Sequence, residues 1–285
     1  MLCDLHIHST FSDGTDDPTR LVQLAEELGL VAVALCDHNT VEGLPEFLRA
    51  AEGSSVEAVP AVEFTTDYKG TELHLLAMYV RPEYYDQIRR LLEKLRQAKE
   101  QGNRDLADRL NRAGYQVDYE AIRATYAGYV SRAHFAQVLT EKGYTASIED
   151  AFRTLLHPGA GFYIPPLRLP ALEVLEFINA IGAVSVLAHP LLSADRETVE
   201  QFLEEAVPLG LDAIETIYTT YDEETAALAA RLARKYALLD SGGSDYHGTR
   251  KTEVYMGKGS GNLEVPETVW RSLKERAREK GGQGQ

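Results

Sequence analysis

Two kinds of segment alternate along the first and last parts of this chain: short apolar runs, and longer stretches with apolar residues every three or four positions. The runs at 2–7, 31–36, 56–63, 73–79, 183–188, 211–215 and 237–240 have the length and composition of strands, and helical periodicity fills most of the gaps between them. Pro18 to Gly29 carries Leu21, Leu24, Ala25 and Leu28 on one face, opens on proline and closes on glycine, as a helix with one buried side would. Residues 221–235 begin acidic and end basic, which complements a helix dipole, and lead directly into the run at 237–240. Strands and helices in this order predict a parallel sheet or barrel.

The alternation stops between about 82 and 166. PEYYDQIRRLLEKLRQAKEQ, NRDLADRLNRAG, YEAIRAT, SRAHFAQVLTEKG and SIEDAFRTLL are helical patterns with no convincing strand among them, and the Gly/Pro-rich stretch HPGAGFYIPP suits a loop crossing back. The expected organisation is a first barrel part at 1–81, an all-helical insertion at 82–166 and a second barrel part at 167–285.

Reactive groups of α/β barrels collect at the C-terminal strand ends, and there the chain places its imidazoles and carboxylates. Seven of its eight histidines fall inside or just after apolar runs, most with a carboxylate nearby. His6 and His8 end the first run two residues apart, so they point to one side. His38 ends the second run, Glu63 the third, and His189 the run at 183–188; Asp245 and His247 follow the last run across GGSDYHG. His74 starts a run that pairs with 62–66 through the turn DYKG. Imidazole and carboxylate donors suit Mn, Fe or Zn, and thiolates are nearly absent.

Composition narrows the choice further. A formal charge of −15 opposes a duplex-coating role, because such binding needs many Lys/Arg contacts to phosphate. No apolar stretch approaches the roughly 20 residues that span a bilayer, and the opening residues do not read as a secretion signal, so a cytoplasmic protein is expected. Cys3 and Cys36 sit in apolar runs, as small hydrophobes in a reducing compartment. The tail REKGGQGQ reads as frayed.

The pieces DLHIHSTFSDG, CDHNT, the glutamate of AVEF, the histidine of ELHLL, SRAHFAQVL, VLAHP and GGSDYHG stand in the order found in the polymerase and histidinol phosphatase (PHP) superfamily, which the chain resembles over nearly its whole length. The resemblance implies a metal-dependent phosphoesterase on a distorted (β/α)7 barrel with a helical insertion. The insertion ending SRAHFAQVLTEKGY is similar to the subgroup that removes the 3′-phosphate of nucleoside 3′,5′-bisphosphates, such as 3′-phosphoadenosine 5′-phosphate, and trims short RNA from its 5′ end. It further implies three divalent ions, Mn first, with Fe or Zn as alternatives. His6, His8, Glu63 and Asp245 would hold one; Glu63, bridging, would share the next with His74 and His134; Asp13, His38 and His247 would hold the third. Arg132 matches the family's phosphate-gripping arginine and His189 its proton donor. Cys36 and Asn39 stand where the family more often has Thr and Asp, and Leu191 where the subgroup often has Gly.

That chemistry fits the donors. Ester oxygens repel a nucleophile, whereas divalent ions neutralise them and lower the pKa of bound water toward about 7. A guanidinium grips two phosphate oxygens at once, and an imidazole can protonate the leaving alkoxide.

Single residues carry plainer readings. Asp37 orients its neighbour, Ser131 caps the helix that bears His134, His157 is a loop residue, and Tyr115, Tyr119, Tyr126 and Tyr129 are core and surface of the insertion, with one of them able to face a base. The competing functions are a phosphatase for another small ester such as histidinol phosphate, and a PHP-shaped regulatory module without chemistry. The expected partner is a small phosphorylated substrate, with short RNA ends as an extension, and neither a membrane nor a stable nucleic-acid complex.

Overall fold

All seven apolar runs form strands, and the five helical patterns of the insertion form four helices. The computed structural model describes residues 1–126, 130–164 and 167–282; Tyr129 and the last two positions of HPGAGFYIPP lie outside them. In chain order come β1 (Leu2–Ile7), α1 (Pro18–Glu27), β2 (Ala32–Leu35), α2 (Leu44–Ala50), β3 (Glu57–Tyr68) and β4 (Thr71–Met78). Then follow α3 (Tyr85–Arg112), α4 (Tyr119–Thr125), α5 (Arg132–Glu141) and α6 (Ile148–Thr154). The rest is β5 (Leu169–Pro170), α7 (Ala171–Ala180), β6 (Val184–Ala188), α8 (Pro190–Ser193), α9 (Arg196–Ala206), β7 (Ala213–Tyr218), α10 (Glu223–Lys235), β8 (Leu239–Gly243), β9 (Val265–Pro266) and α11 (Glu267–Gly282).

The sheet runs β8-β7-β6-β4-β3-β2-β1, with β9 beside β1 and β5 beside β3. It curls until the segment after β8 meets β1: Asp245 N–H donates to His6 O at 2.9 Å and His8 N–H to Tyr246 O at 2.9 Å. The result is a nearly closed, distorted barrel. Gly243 permits the closure, because a Cβ there would collide with His6.

One strand is reversed. β4 pairs antiparallel with both β3 and β6, and the two-residue turn Lys69–Gly70, with φ of +52° and +89°, has the left-handed backbone of a tight hairpin. The reversal brings the start of β4 to the mouth where the parallel strands end. Glu63 sits opposite Leu76, two residues from His74, so Glu63 and His74 share the inner face.

Inside the barrel, Leu5, Ala34, Ala61, Leu76, Val186 and Ala213 pack in one cluster, which α11 covers with Val269 and Leu273. Ile7, Leu35, Val62, Phe64, Leu75 and Ile214 face outward under the helices. In β1 the pairing advances three residues, Asp4 to Ile7, while β2 advances two, Val33 to Leu35. This bulge changes the phase of the strand, so that Leu5 fills the interior while His6 and His8 turn into the mouth.

Two of the insertion's patterns form a single helix. α3 runs through Gly102 without a break, although a glycine inside a helix costs about 1 kcal/mol. The helix buries Ile88, Leu92 and Leu95 against the barrel's outer cluster and Leu106 and Leu110 in the insertion's own, with Ile122, Phe135 and Leu139. Packing at both ends outweighs the local preference. No helix among the described residues is long and apolar enough to cross a membrane.

Candidate metal centre

Five imidazoles converge on the buried carboxylate of Glu63. Its Oε2 lies 3.3 Å from His6 Nε2, 3.4 Å from His8 Nε2 and 3.0 Å from His38 Nδ1; its Oε1 lies 2.6 Å from His74 Nδ1 and 3.0 Å from His189 Nε2. Asp245 Oδ1 stands 3.1 Å from His8 Nε2 and 3.8 Å from His6 Nε2. Asp13 Oδ1 is 3.2 Å from His247 Nε2 and 4.0 Å from both His8 Nδ1 and His38 Nε2. Residues far apart in sequence thus form one cage at the mouth of the barrel.

Local sequence explains how each side chain arrives. Three of the six non-glycine residues with positive φ among those described are at this mouth: Asn39 at +51°, His189 at +26° and Asp245 at +55°. Left-handed backbone is strained for such residues and persists only where surroundings hold it. Asn39 is held by Thr65, donating to its hydroxyl at 3.0 Å and accepting from its N–H at 3.1 Å. Asp37, read as an orienting neighbour of His38, accepts from Ser9 N–H, Ser9 Oγ and Ser12 Oγ, and so fixes the loop that carries Asp13. Gly14 has no room for a Cβ against His8 O.

Four further residues, Glu215, Glu72, Tyr218 and Lys251, support the cage. Glu215, fully buried on β7, accepts from His6 Nδ1 at 2.9 Å and from His189 N–H at 2.7 Å. A signal existed: a lone acid in AIETIY, an otherwise buried parallel strand. Glu72 accepts from His74 Nε2 at 3.1 Å and pairs with Arg168; its position two before His74 puts both on one face of β4. Asp245 Oδ2 is taken by Tyr218 OH at 2.8 Å and Lys251 Nζ at 2.6 Å, which leaves Oδ1 facing the imidazoles.

The electrostatics suit cations. Burial would raise the carboxylate pKa of Glu63, yet His38, His74 and His6 hold it well below its usual range. His247 and His38 do the same for Asp13, and Lys251 and His247 for Asp245. Burial, with His247 and His38 crowding it, pushes His8 down to about 3. Both ring nitrogens of His8 and Nδ1 of His38 are buried without a hydrogen-bond partner. Groups such as His8, Asp13, His38 and His247, or His38, Glu63 and His74, hold donor atoms within 4.8 Å of one another. His8 and His38, which burial holds toward the neutral form with ring nitrogens unused, stand among ionised carboxylates and are donors of the kind that divalent first-row metals take.

A cavity of about 210 Å³ opens over the cage. Asp13, His38 and His74 line it together with Lys99, Arg132 and Arg168. The Arg132 guanidinium stacks 4.3 Å from the Tyr163 ring centre and donates to Leu156 O at 3.2 Å, which fixes its plane. Lys99 and Arg168 give no distinct signal in the sequence, since each is one cation among several in its segment.

His134 and His189 are placed in contrasting ways. His134 forms a capping box with Ser131, its Nδ1 accepting from Ser131 N–H at 2.9 Å, and its ring lies 3.9 Å from that of Tyr126. It is not drawn into contact with Glu63 or His74; Arg250, Asp13 and Lys99 are its charged neighbours. His189 is inside the cage, its ring 5.5 Å from His6 and 5.1 Å from His74.

The PHP domain family matches residues 4–164. A 5′-3′ exoribonuclease of Haemophilus influenzae is 30% identical over 86% of this chain and 89% of its own. A phosphoribosyl 1,2-cyclic phosphate 1,2-diphosphodiesterase of Eggerthella lenta is 31% identical over 87% of the chain and 95% of its own. A 3′,5′-nucleoside bisphosphate phosphatase of Chromobacterium violaceum is 25% identical over 96% of both. A solved structure described as a metal-dependent phosphoesterase, from Bifidobacterium adolescentis, superposes with a TM-score of 0.85 at 26% identity over 96% of both chains.

Proposed function

Because the chain belongs to the PHP domain family and is a metal-dependent hydrolase of phosphate esters, we propose that its substrate is a nucleoside 3′,5′-bisphosphate and that the bond it cleaves is the 3′-phosphomonoester. The observation that carries this reading is that residues of the histidine and carboxylate cage and three basic side chains, Lys99, Arg132 and Arg168, line one small cavity. The names of the bisphosphatase and exoribonuclease relatives support a nucleotide there, with short RNA 5′ ends as a secondary substrate.

Three divalent ions, Mn first, belong to this proposal. His6, His8, Glu63 and Asp245 would hold one, Asp13, His38 and His247 another, and Glu63 and His74 a third, with His134 approaching from the insertion. Such ions, when bound, supply Lewis acidity and a water of lowered pKa. The chain's own groups do the rest. Arg132, held flat by Tyr163, takes two phosphoryl oxygens and favours the spread charge of the transition state. Glu215 keeps the His6 proton on Nδ1 and turns Nε2 toward the cage. His189 delivers a proton to the departing 3′-oxygen. The activity is assigned to the cytoplasm, where the unpaired, buried Cys3 and Cys36 stay reduced.

A kinetic panel tests the reading: Mn-loaded protein on a nucleoside 3′,5′-bisphosphate, histidinol phosphate, a 1,2-cyclic phosphate and a short 5′-phosphorylated RNA. The bisphosphate should give the highest kcat/KM, and any other order overturns the substrate assignment.

A further inference from the structure

The cavity over the cage, at about 210 Å³, is smaller than the roughly 300–1,000 Å³ of sites that enclose whole organic ligands. It has room for a phosphoryl group but not for the whole of a nucleotide. Beside it is a second cavity of about 520 Å³, and the two share Thr65, Lys99, Asn103 and Arg168 as a common wall. We propose that this second cavity is the subsite for the alcohol half of the substrate, and that it takes a flat, uncharged ring. That the ring is a nucleobase rests on the function proposed above; that a ring binds there does not.

The lining supports this class of ligand. Phe11, Val41, Leu92, Leu95 and Tyr119 supply aromatic and aliphatic surface, and the amide of Asn39 stands at the edge. Tyr119 is one of the four insertion tyrosines, and it turns toward this space while the Arg104 guanidinium lies 5.0 Å from its ring centre. The acids of the wall are matched by cations: Glu42 with Arg89 at 2.7 Å, Glu93 with Arg96 at 2.8 Å and Glu100 with Arg123 at 3.2 Å. A lining of balanced ion pairs and apolar surface favours a neutral body, whereas the phosphoryl group belongs at the shared wall with Lys99 and Arg168. The rims agree. Apart from Met1, the most exposed large apolar side chains among the described residues are Leu167 and Ile164, 66% and 62% exposed. Leu167 borders the larger cavity and Ile164 the smaller, where a bound ring would cover them.

The test uses the full-length, Mn-loaded protein with methyl phosphate, phenyl phosphate and a nucleoside 3′,5′-bisphosphate as substrates, and inorganic phosphate as inhibitor. Leu167→Ser removes the exposed rim contact with little risk to folding, and Leu95→Trp fills the cavity; thermal melting confirms that each is folded. The wild-type preference in kcat/KM for ring-bearing esters over methyl phosphate should fall about tenfold in each variant, the size expected from losing or blocking one apolar contact. The inhibition constant of inorganic phosphate should stay within about twofold, because phosphate needs only the smaller cavity. If every folded variant keeps the wild-type preference, the subsite is overturned. Wild-type protein that favours phenyl phosphate and ignores the nucleotide, with that preference lost in the variants, sinks the nucleotide reading and leaves the ring subsite standing.

Discussion

Replacing Glu215 by Gln exchanges one carboxylate oxygen for an NH2 group and leaves the shape unchanged. The two oxygens of Glu215 accept from His6 Nδ1 and from the His189 N–H at 2.9 and 2.7 Å. An amide satisfies one of these donors and sets its own N–H against the other. The His189 N–H is fixed by a backbone at φ +26° followed by Pro190, so the amide oxygen stays with it and the NH2 meets the His6 ring. The ring then carries its proton on Nε2, which faces Glu63 and Asp245 and can no longer donate a lone pair to a cation. Hydrogen bonds to charged groups contribute roughly 1.5–3 kcal/mol. At about 1.4 kcal/mol per tenfold this is about one to two powers of ten in affinity, the range in which loss of an orienting carboxylate weakens metal binding. Titration of Mn against a competing chelator, followed by elemental analysis of the dialysed protein, gives affinity and stoichiometry separately. The ion that His6 would help to hold should lose about ten- to a hundredfold in affinity. Wild-type affinity for every ion, within about twofold, would refute the positioning role.

Arg132→Ala should lower kcat/KM by about two powers of ten with metal content unchanged; loss of metal would assign Arg132 to the cage instead. His189→Asn separates a proton donor from a ligand: the donor role predicts full metal content and a nearly spared rate on 4-nitrophenyl phosphate, whose leaving group needs no proton, whereas loss of metal contradicts it. Burial pushes Lys99 down to about 7 against the pull of Asp13, with Arg132 adding to the shift. Lys99 therefore gains its charge as pH falls through about 7, so sulfate, which does not titrate there, should inhibit more strongly at pH 6 than at pH 8, and Lys99→Met should flatten that slope; an equal slope in the variant would refute the role. With a formal charge of −15, long RNA should be turned over less efficiently than a mononucleotide, most clearly at low ionic strength where the charge is least screened, and the reverse order would count against a small substrate.

Much of the barrel is legible because its signals are local. Strand length, helical period and the DYKG turn each depend on neighbours in sequence, and β1 to β4, β6, β7 and β8 fall where those signals put them. The end of β3 is less visible: the strand runs five residues past Glu63, because pairing with β4, not its own composition, sustains it. The division at 82 marks where alternation stops, yet packing does not change there, since α3 is shared between the barrel's outer cluster and the insertion's own. At the site, histidines at strand ends were readable as candidates because barrel geometry sends strand ends to one mouth. Glu72 and Arg168 were not, since their roles depend on what each one meets across the sheet, and Glu215, though marked as the lone acid of its strand, takes its role from the His6 ring and the His189 N–H that tertiary structure brings to it. The place of His134, against Tyr126 and Ser131, is likewise set by tertiary packing that spacing does not encode.

The most direct measurement is an anomalous difference map from crystals of the Mn-loaded protein, collected at the Mn absorption edge. Strong peaks should stand against both oxygens of Glu63, with a further peak between Asp13, His38 and His247. A map with no peak touching Glu63 would contradict the claim that these dispersed imidazoles and carboxylates fold into one metal centre.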